Sequence, residues 1–258
     1  GNTFDILRLD LSSTHWVELL NTVATKAAEK GGALVRLIGN HEMMNNLPSR
    51  SGCRGCKYAT PYALEQGDYN GKGGDAGRQA WFGPGGGGAK RLACGALAIF
   101  RVGHWTFAHG GLMPELAQIL KDAGGIKGAN EVMQQRLLSS KDVFKKLLHE
   151  KLRIPVESLA KDLFHEKRGL MWERTQSTNE EAPHDLCGQT KEALEMSGAP
   201  IGKNNHLVMG HTPQFKGVSE GSYTFRNSMV KKTDAQGNIL RFVGPGVSVE
   251  KMGAGTGV

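Results

Sequence analysis

Three short stretches of this chain carry the residue types that do metal or acid–base chemistry, and they share one design. Gly39-Asn40-His41-Glu42 follows the apolar run from Ala33 to Ile38, His109-Gly110-Gly111 follows Trp105 to Ala108, and Gly210-His211-Thr212-Pro213-Gln214 follows His206 to Met209. An apolar run closed by a glycine turn reads as a buried strand feeding a loop. In open α/β sheets, ligand sites lie beyond the carboxyl ends of strands. The pattern therefore predicts one amide, Asn40, and three imidazoles, His41, His109 and His211, aimed at one rim. Neutral imidazole nitrogen and amide oxygen suit borderline first-row ions such as Zn, Mn or Fe. The neighbouring glycines let the backbone turn sharply and leave room for a substrate oxyanion. A single histidine after a strand is more often structural, but three such turns in one chain point to a metal site.

These turns need elements to hold them. Trp16, Leu19, Leu20, Val23 and Ala27 recur at helical spacing and predict a helix from Trp16 to Lys30, stopped by Gly31-Gly32. Ala33 to Ile38 predicts a strand. Residues 67–88 hold ten glycines and predict a loop. Leu97 to Val102 and Trp105 to Ala108 predict two strands joined at Gly103-His104. Helical pattern runs through Leu112 to Leu120 and, more strongly, Glu131 to Leu152. Pro155 breaks it, and a further helix is predicted from Val156 to His165. Gly169 to Arg174 begins an irregular segment. Gly237-Asn238 predicts a tight turn between two late strands. Strands alternating with helices place the chain in the α/β class. The helical stretch 112–168 reads as a cap inserted into a single domain spanning 1–258.

Composition narrows the function classes. No apolar run approaches the length of a membrane span. No secretory leader pattern opens the chain, and its sparse cysteines permit a soluble intracellular place in cytosol, mitochondrion or plastid without choosing among them. The 32 basic and 25 acidic residues give a net charge of +7, either a solvated basic surface or a weak attraction for anions such as phosphoesters. No block of like charges marks a nucleic-acid tail, so nucleic-acid binding is not expected. Four cysteines are too few for a disulfide scaffold at this length. Cys53-x-x-Cys56 could be half of a zinc or redox site or two incidental thiols.

Together, Gly39-Asn40-His41-Glu42, His109-Gly110-Gly111-Leu112 and Gly210-His211-Thr212-Pro213-Gln214 resemble the motif set of calcineurin-like metallophosphoesterases. The subgroup they most resemble is the Shewanella-like serine/threonine protein phosphatases. Met43-Met44-Asn45, Ala76-Gly77-Arg78, Pro84-Gly85-Gly86 and the Trp-x-Arg segment in Met171-Trp172-Glu173-Arg174 extend the likeness to nearly the whole chain. The resemblance implies a four-layer sandwich of two mixed sheets flanked by helices, with a two-metal site of the Mn, Fe or Zn type. It implies that Asn40 and His109 bind one metal and His211 the other. His41 would be the general acid for the leaving oxygen, Asp5 its orienting carboxylate, and Arg174 the phosphate ligand. The substrate class implied is a phosphomonoester, with phosphoserine or phosphothreonine protein first.

Two earlier motifs of that family differ here. Gly-Asp-x-His-Gly is absent, so the fold reads as N-terminally truncated. Gly1-Asn2-Thr3-Phe4-Asp5-Ile6 stands where Gly-Asp-x-x-Asp-Arg is expected: Asn2 replaces the metal-bridging Asp and Ile6 the phosphate-binding Arg. A neutral amide bridges two cations poorly, because it leaves their repulsion uncompensated. The expectation is therefore impaired activity with one metal or none. The alternative is an inactive phosphatase fold kept as a structural subunit of a protein complex.

Overall fold

The computed structural model describes residues 13–46, 74–139, 163–164, 167–177, 185–202, 205–212, 239–243 and 248–252. Asn2, Asp5, Ile6, Cys53, Cys56, Pro213 and Gln214 lie outside them, as do Gly237-Asn238 and nearly all of the helix predicted from Val156 to His165.

Helix α1 (Ser13–Glu29) forms where the helical spacing predicts it and ends at Gly31, whose φ is +75°. It buries Val17, while Leu19 and Val23 stay exposed. The strand predicted from Ala33 is shorter: β1 is Arg36–Leu37, extended by the bond from the Ile38 N–H to the Leu97 carbonyl. It pairs in parallel with β2 (Ala96–Leu97). Buried Arg36 ties this pair to α1, donating to the Asn21 side chain and to the Gly95 carbonyl.

The single strand predicted from Leu97 to Val102 is divided at Ala98. β2 belongs with β1, whereas β3 (Ile99–Val102) pairs antiparallel with β4 (Trp105–Ala108). β4 in turn pairs in parallel with β5 (His206–Met209). The Asn130 side chain holds the division, accepting from the N–H groups of Ala98 and Ile99 and donating to the Ile99 carbonyl. This switch brings the motifs together. β1 runs toward Leu97 from one side, and β4 ends opposite Ile99 from the other. The residues after both strands therefore arrive at the same place.

Within the predicted loop 67–88, residues 67–73 lie outside the described residues, 83–86 form a turn as expected, and the loop reading is corrected at 74–82 and 87–88, which are helical. Helix α2 (Asn40–Asn46) is followed among the described residues by α3 (Gly74–Phe82) and α4 (Gly87–Gly95). The glycines serve close packing here. A Cβ at Gly88 would strike the Trp81 indole nitrogen, and one at Gly87 would come within 2.6 Å of the Trp81 ring. Only bare backbone lets α4 start against that indole.

Helix α5 (Pro114–Asp122) matches the pattern after Leu112. The pattern from Glu131 to Leu152 is not one helix: α6 runs Gly125–Leu138, and Ser139 is extended at φ −111°, ψ 145°. Leu116, Leu120, Val132, Met133, Leu137 and Leu163 pack in the same core as Ile38, Phe82, Ile99 and Leu207. Helix α7 (Leu186–Met196) packs on α5, with Asp185 capping its first turn through the Gly188 N–H. Strands β6 (Ile239–Val243) and β7 (Ser248–Met252) pair with each other and both follow Gly237-Asn238, so that dipeptide does not separate them. The fold is mixed α/β, and among the described residues no helix is long and apolar enough to cross a membrane.

Candidate active site

The first motif is built by a helix start. The Glu42 carboxylate accepts from the Gly39 N–H at 2.7 Å, the backward half of a capping box, and is buried. This fixes Asn40 and His41 in the first turn of α2. Asn45 donates to the His41 carbonyl and accepts from the buried Arg78 at 2.7 Å. Asn46 reaches the carbonyls of Phe82 and Leu137. These residues anchor the short helix from three directions.

The second and third motifs are set by sheet register. Ala108 pairs with Met209, so His109 and Gly210 leave their strands side by side, joined by the bond from the Gly210 N–H to the His109 carbonyl. His109 Nε2 lies 2.9 Å from Asn40 Oδ1 and 3.2 Å from His211 Nδ1. One ring nitrogen is thus approached by an amide oxygen and a second imidazole. His109 is buried, whereas His211 is half-buried and stands edge-on to the rings of His109 and Trp172. His211 is also the non-glycine residue with positive φ among the described residues, at 56°. Such backbone in a bulky residue is uncommon and gathers at functional sites.

Segment 169–177 clamps these turns. Gly110 donates to the Leu170 carbonyl at 2.8 Å and Gly111 to that of Glu173 at 2.9 Å. The buried Gln176 side chain accepts from the Leu112 N–H and donates to the Leu112 carbonyl and to Thr190. A Cβ on Gly110 would lie 2.9 Å from the Leu170 oxygen, and one on Gly111 would strike the Gln176 amide. This close approach is why both positions are glycine. The same segment carries Arg174, exposed at the edge of the cluster and 3.4 Å from the Thr212 hydroxyl.

Burial and nearby charge keep His109 and His211 neutral. Burial above all lowers His109 to about 2, and the charges of His211, His41 and Arg174 act in the same direction. Burial, then Arg174 and His41, lowers His211 to about 4, with the Trp172 backbone opposing. Partial desolvation lowers Arg174 from its usual value even at this exposed edge. Neutral rings offer lone pairs, so the cluster can receive a cation at pH 7.

Asn40 and His211 each contact His109, and His41 and Arg174 are close enough to act on both histidines. Asn2 and Asp5 lie outside the described residues. The sequence reading did not assign Glu42, Gln176 or Ser177. The Glu three residues after Gly39 signals the capping box, but no local pattern marks the other two.

Comparisons with known proteins agree on the fold. No family model matches the chain. Its fold is phosphatase-like: it matches the crystal structure of a cold-active protein-tyrosine phosphatase from a psychrophilic Shewanella species at a TM-score of 0.54 and 18% identity, over 78% of this chain and 51% of that one. A second structure of a cold-active protein tyrosine phosphatase matches at 0.59 and 16% identity, over 93% of this chain and 63% of that one. The chain thus spans between half and two-thirds of the length of these phosphatases. In sequence it is 30% identical over 200 residues, 73% of each protein, to "Uncharacterized protein R398" of Acanthamoeba polyphaga mimivirus. The chain belongs to the family of that viral protein.

Proposed function

We propose that the chain is a metallophosphoesterase of the calcineurin-like superfamily, of the Shewanella-like serine/threonine phosphatase type, with one strong divalent-metal position and reduced phosphomonoesterase activity. The four-layer sandwich and the helical insertion at 112–168 belong to this proposal. The observation that carries it is the contact of Asn40 Oδ1 and His211 Nδ1 with a single nitrogen, His109 Nε2, at 2.9 and 3.2 Å. Ligands about 2.1 Å from one ion stand about 3.0–3.4 Å apart in octahedral or tetrahedral geometry. Both distances to His109 lie close to the spacing expected of ligands to one ion.

The donor chemistry fits as well: two neutral imidazoles and an amide oxygen suit Mn, Fe or Zn. Among the described residues no group of three or more His, Cys, Asp or Glu is placed to hold a metal, so the proposed position relies on the Asn40 amide beside His109 and His211. A bound divalent cation would polarise a phosphoryl oxygen and lower the pKa of water. Arg174 would hold the phosphate through charge-assisted hydrogen bonds. Water attacks phosphorus, the bond to the leaving oxygen breaks, and His41 gives that oxygen its proton. Asp5 would orient His41.

Mass-spectrometric metal analysis tests the reading. About one Mn, Fe or Zn per chain is expected, with weak Mn²⁺-dependent hydrolysis of p-nitrophenyl phosphate that disappears in His41→Ala. A chain that takes up none of these metals overturns the reading. Asn2 and Ile6 favour a second reading, an inactive fold holding a complex together. It predicts a co-purifying partner, one metal or none, and no hydrolysis above buffer.

A further inference from the structure

The His211 turn carries a link that the proposed chemistry leaves unused. The buried Ser177 hydroxyl lies 2.5 Å from the Thr212 hydroxyl and donates to the Arg174 carbonyl at 2.9 Å. Thr212 is also the hydroxyl beside the Arg174 guanidinium, at 3.4 Å. Ser177 therefore touches the backbone of Arg174 and, through one side chain, reaches its charged end. It sits in the short 3₁₀ turn Thr175–Ser177, directly after Gln176, which is pinned to Leu112 by two hydrogen bonds. A rigid anchor on the His109 side is thereby connected to Thr212, the residue that follows the left-handed His211. The Thr212 N–H bonds the Gly210 carbonyl at 2.6 Å, a tight turn in which small side-chain shifts carry into the backbone.

We infer that Ser177 is a positioning residue for phosphate binding, holding Thr212 so that the Arg174 guanidinium stays at the edge of the His109–His211 cluster. This rests on the reading of the cluster as a metal and phosphate site. An unanchored arginine loses side-chain freedom when it grips an anion, whereas one already fixed at both ends does not. The Ser177–Thr212 bond places that cost in folding rather than in binding.

The test uses the 258-residue chain loaded with Mn²⁺, with inorganic phosphate as the probe in isothermal titration calorimetry and metal content measured in parallel. Ser177→Ala should weaken phosphate binding about tenfold and leave metal stoichiometry unchanged. Ser177→Thr, which keeps the hydroxyl, should restore affinity. In an Arg174→Ala background, Ser177→Ala should cause no further loss, because the group it positions is gone. Thr212→Val breaks the same contact from the other side and should repeat the effect if Ser177→Ala folds poorly. Wild-type phosphate affinity in both Ser177→Ala and Thr212→Val overturns the positioning role alone. Absence of metal and phosphate binding in the unaltered chain overturns the site reading and this inference with it.

Discussion

The His109 turn and the His211 turn leave neighbouring parallel strands one register step apart, yet they are held by different means. The His109 turn is buried and fastened through backbone: Gly110 to Leu170, Gly111 to Glu173, and Leu112 to the Gln176 side chain on both its polar groups. The His211 turn is half-buried, takes a left-handed backbone at its histidine, and meets segment 169–177 through the hydroxyls of Ser177 and Thr212 as well as the Trp172 backbone. The difference separates two tasks. On the proposed reading, a ligand tied through several backbone bonds moves less freely than one in a left-handed turn held largely by side-chain hydroxyls.

The largest effect should come from cutting the rigid side. Gln176→Leu leaves the Leu112 N–H and carbonyl buried without partners, and each such group costs about 1–3 kcal/mol. We expect a loss of about 3 kcal/mol in urea unfolding, and a change below about 1 kcal/mol would mean that the clamp is not what fixes His109. A smaller loss should separate the histidines. His109→Ala empties a buried position and should cost about 2 kcal/mol, while His211→Asn, whose new side chain tolerates left-handed backbone, should stay within about 0.5 kcal/mol. Both should abolish metal retention. Equal stability losses would erase the distinction between the turns.

Protonation offers a finer comparison in the metal-free protein. Both imidazoles have folded values below the usual 6.5, so the unfolded chain binds more protons across that interval. Their contribution to stability is fully present above about pH 6.5 and is lost as pH falls, toward 4 for His211 and further, toward 2, for His109. Ring resonances followed by NMR should therefore show His211 protonating first on acidification. His109 protonating first would reverse the assignment of buried and adjustable turns.

Much of this was legible in local pattern. The strands β4 and β5, the helix α1 and the glycine turns beside Asn40, His109 and His211 all follow from short-range periodicity and turn chemistry. The helices at 74–82 and 87–88 escape a reading of local pattern, because glycine counts alone cannot distinguish a loop from helices packed against an indole. Only the contacts of Gly87 and Gly88 with Trp81 decide it. The run from Leu97 to Val102 was read as one strand because Asn130, which divides it, lies more than thirty residues away.

The sequence by itself determined which side chains are available and what chemistry they suit: an amide and neutral imidazoles beside glycines, with an arginine on a later segment. It also determined the local elements, because helix and strand periods and turn residues act over a few positions. The tertiary structure decided that these groups meet. The switch of sheets at Ala98 carries Asn40 to His109, and the register of Ala108 with Met209 sets His211 beside His109 as well. It also gave Glu42, Gln176 and Ser177 their roles. Such encounters depend on strand register and close packing between residues far apart in the chain, and no local pattern encodes either.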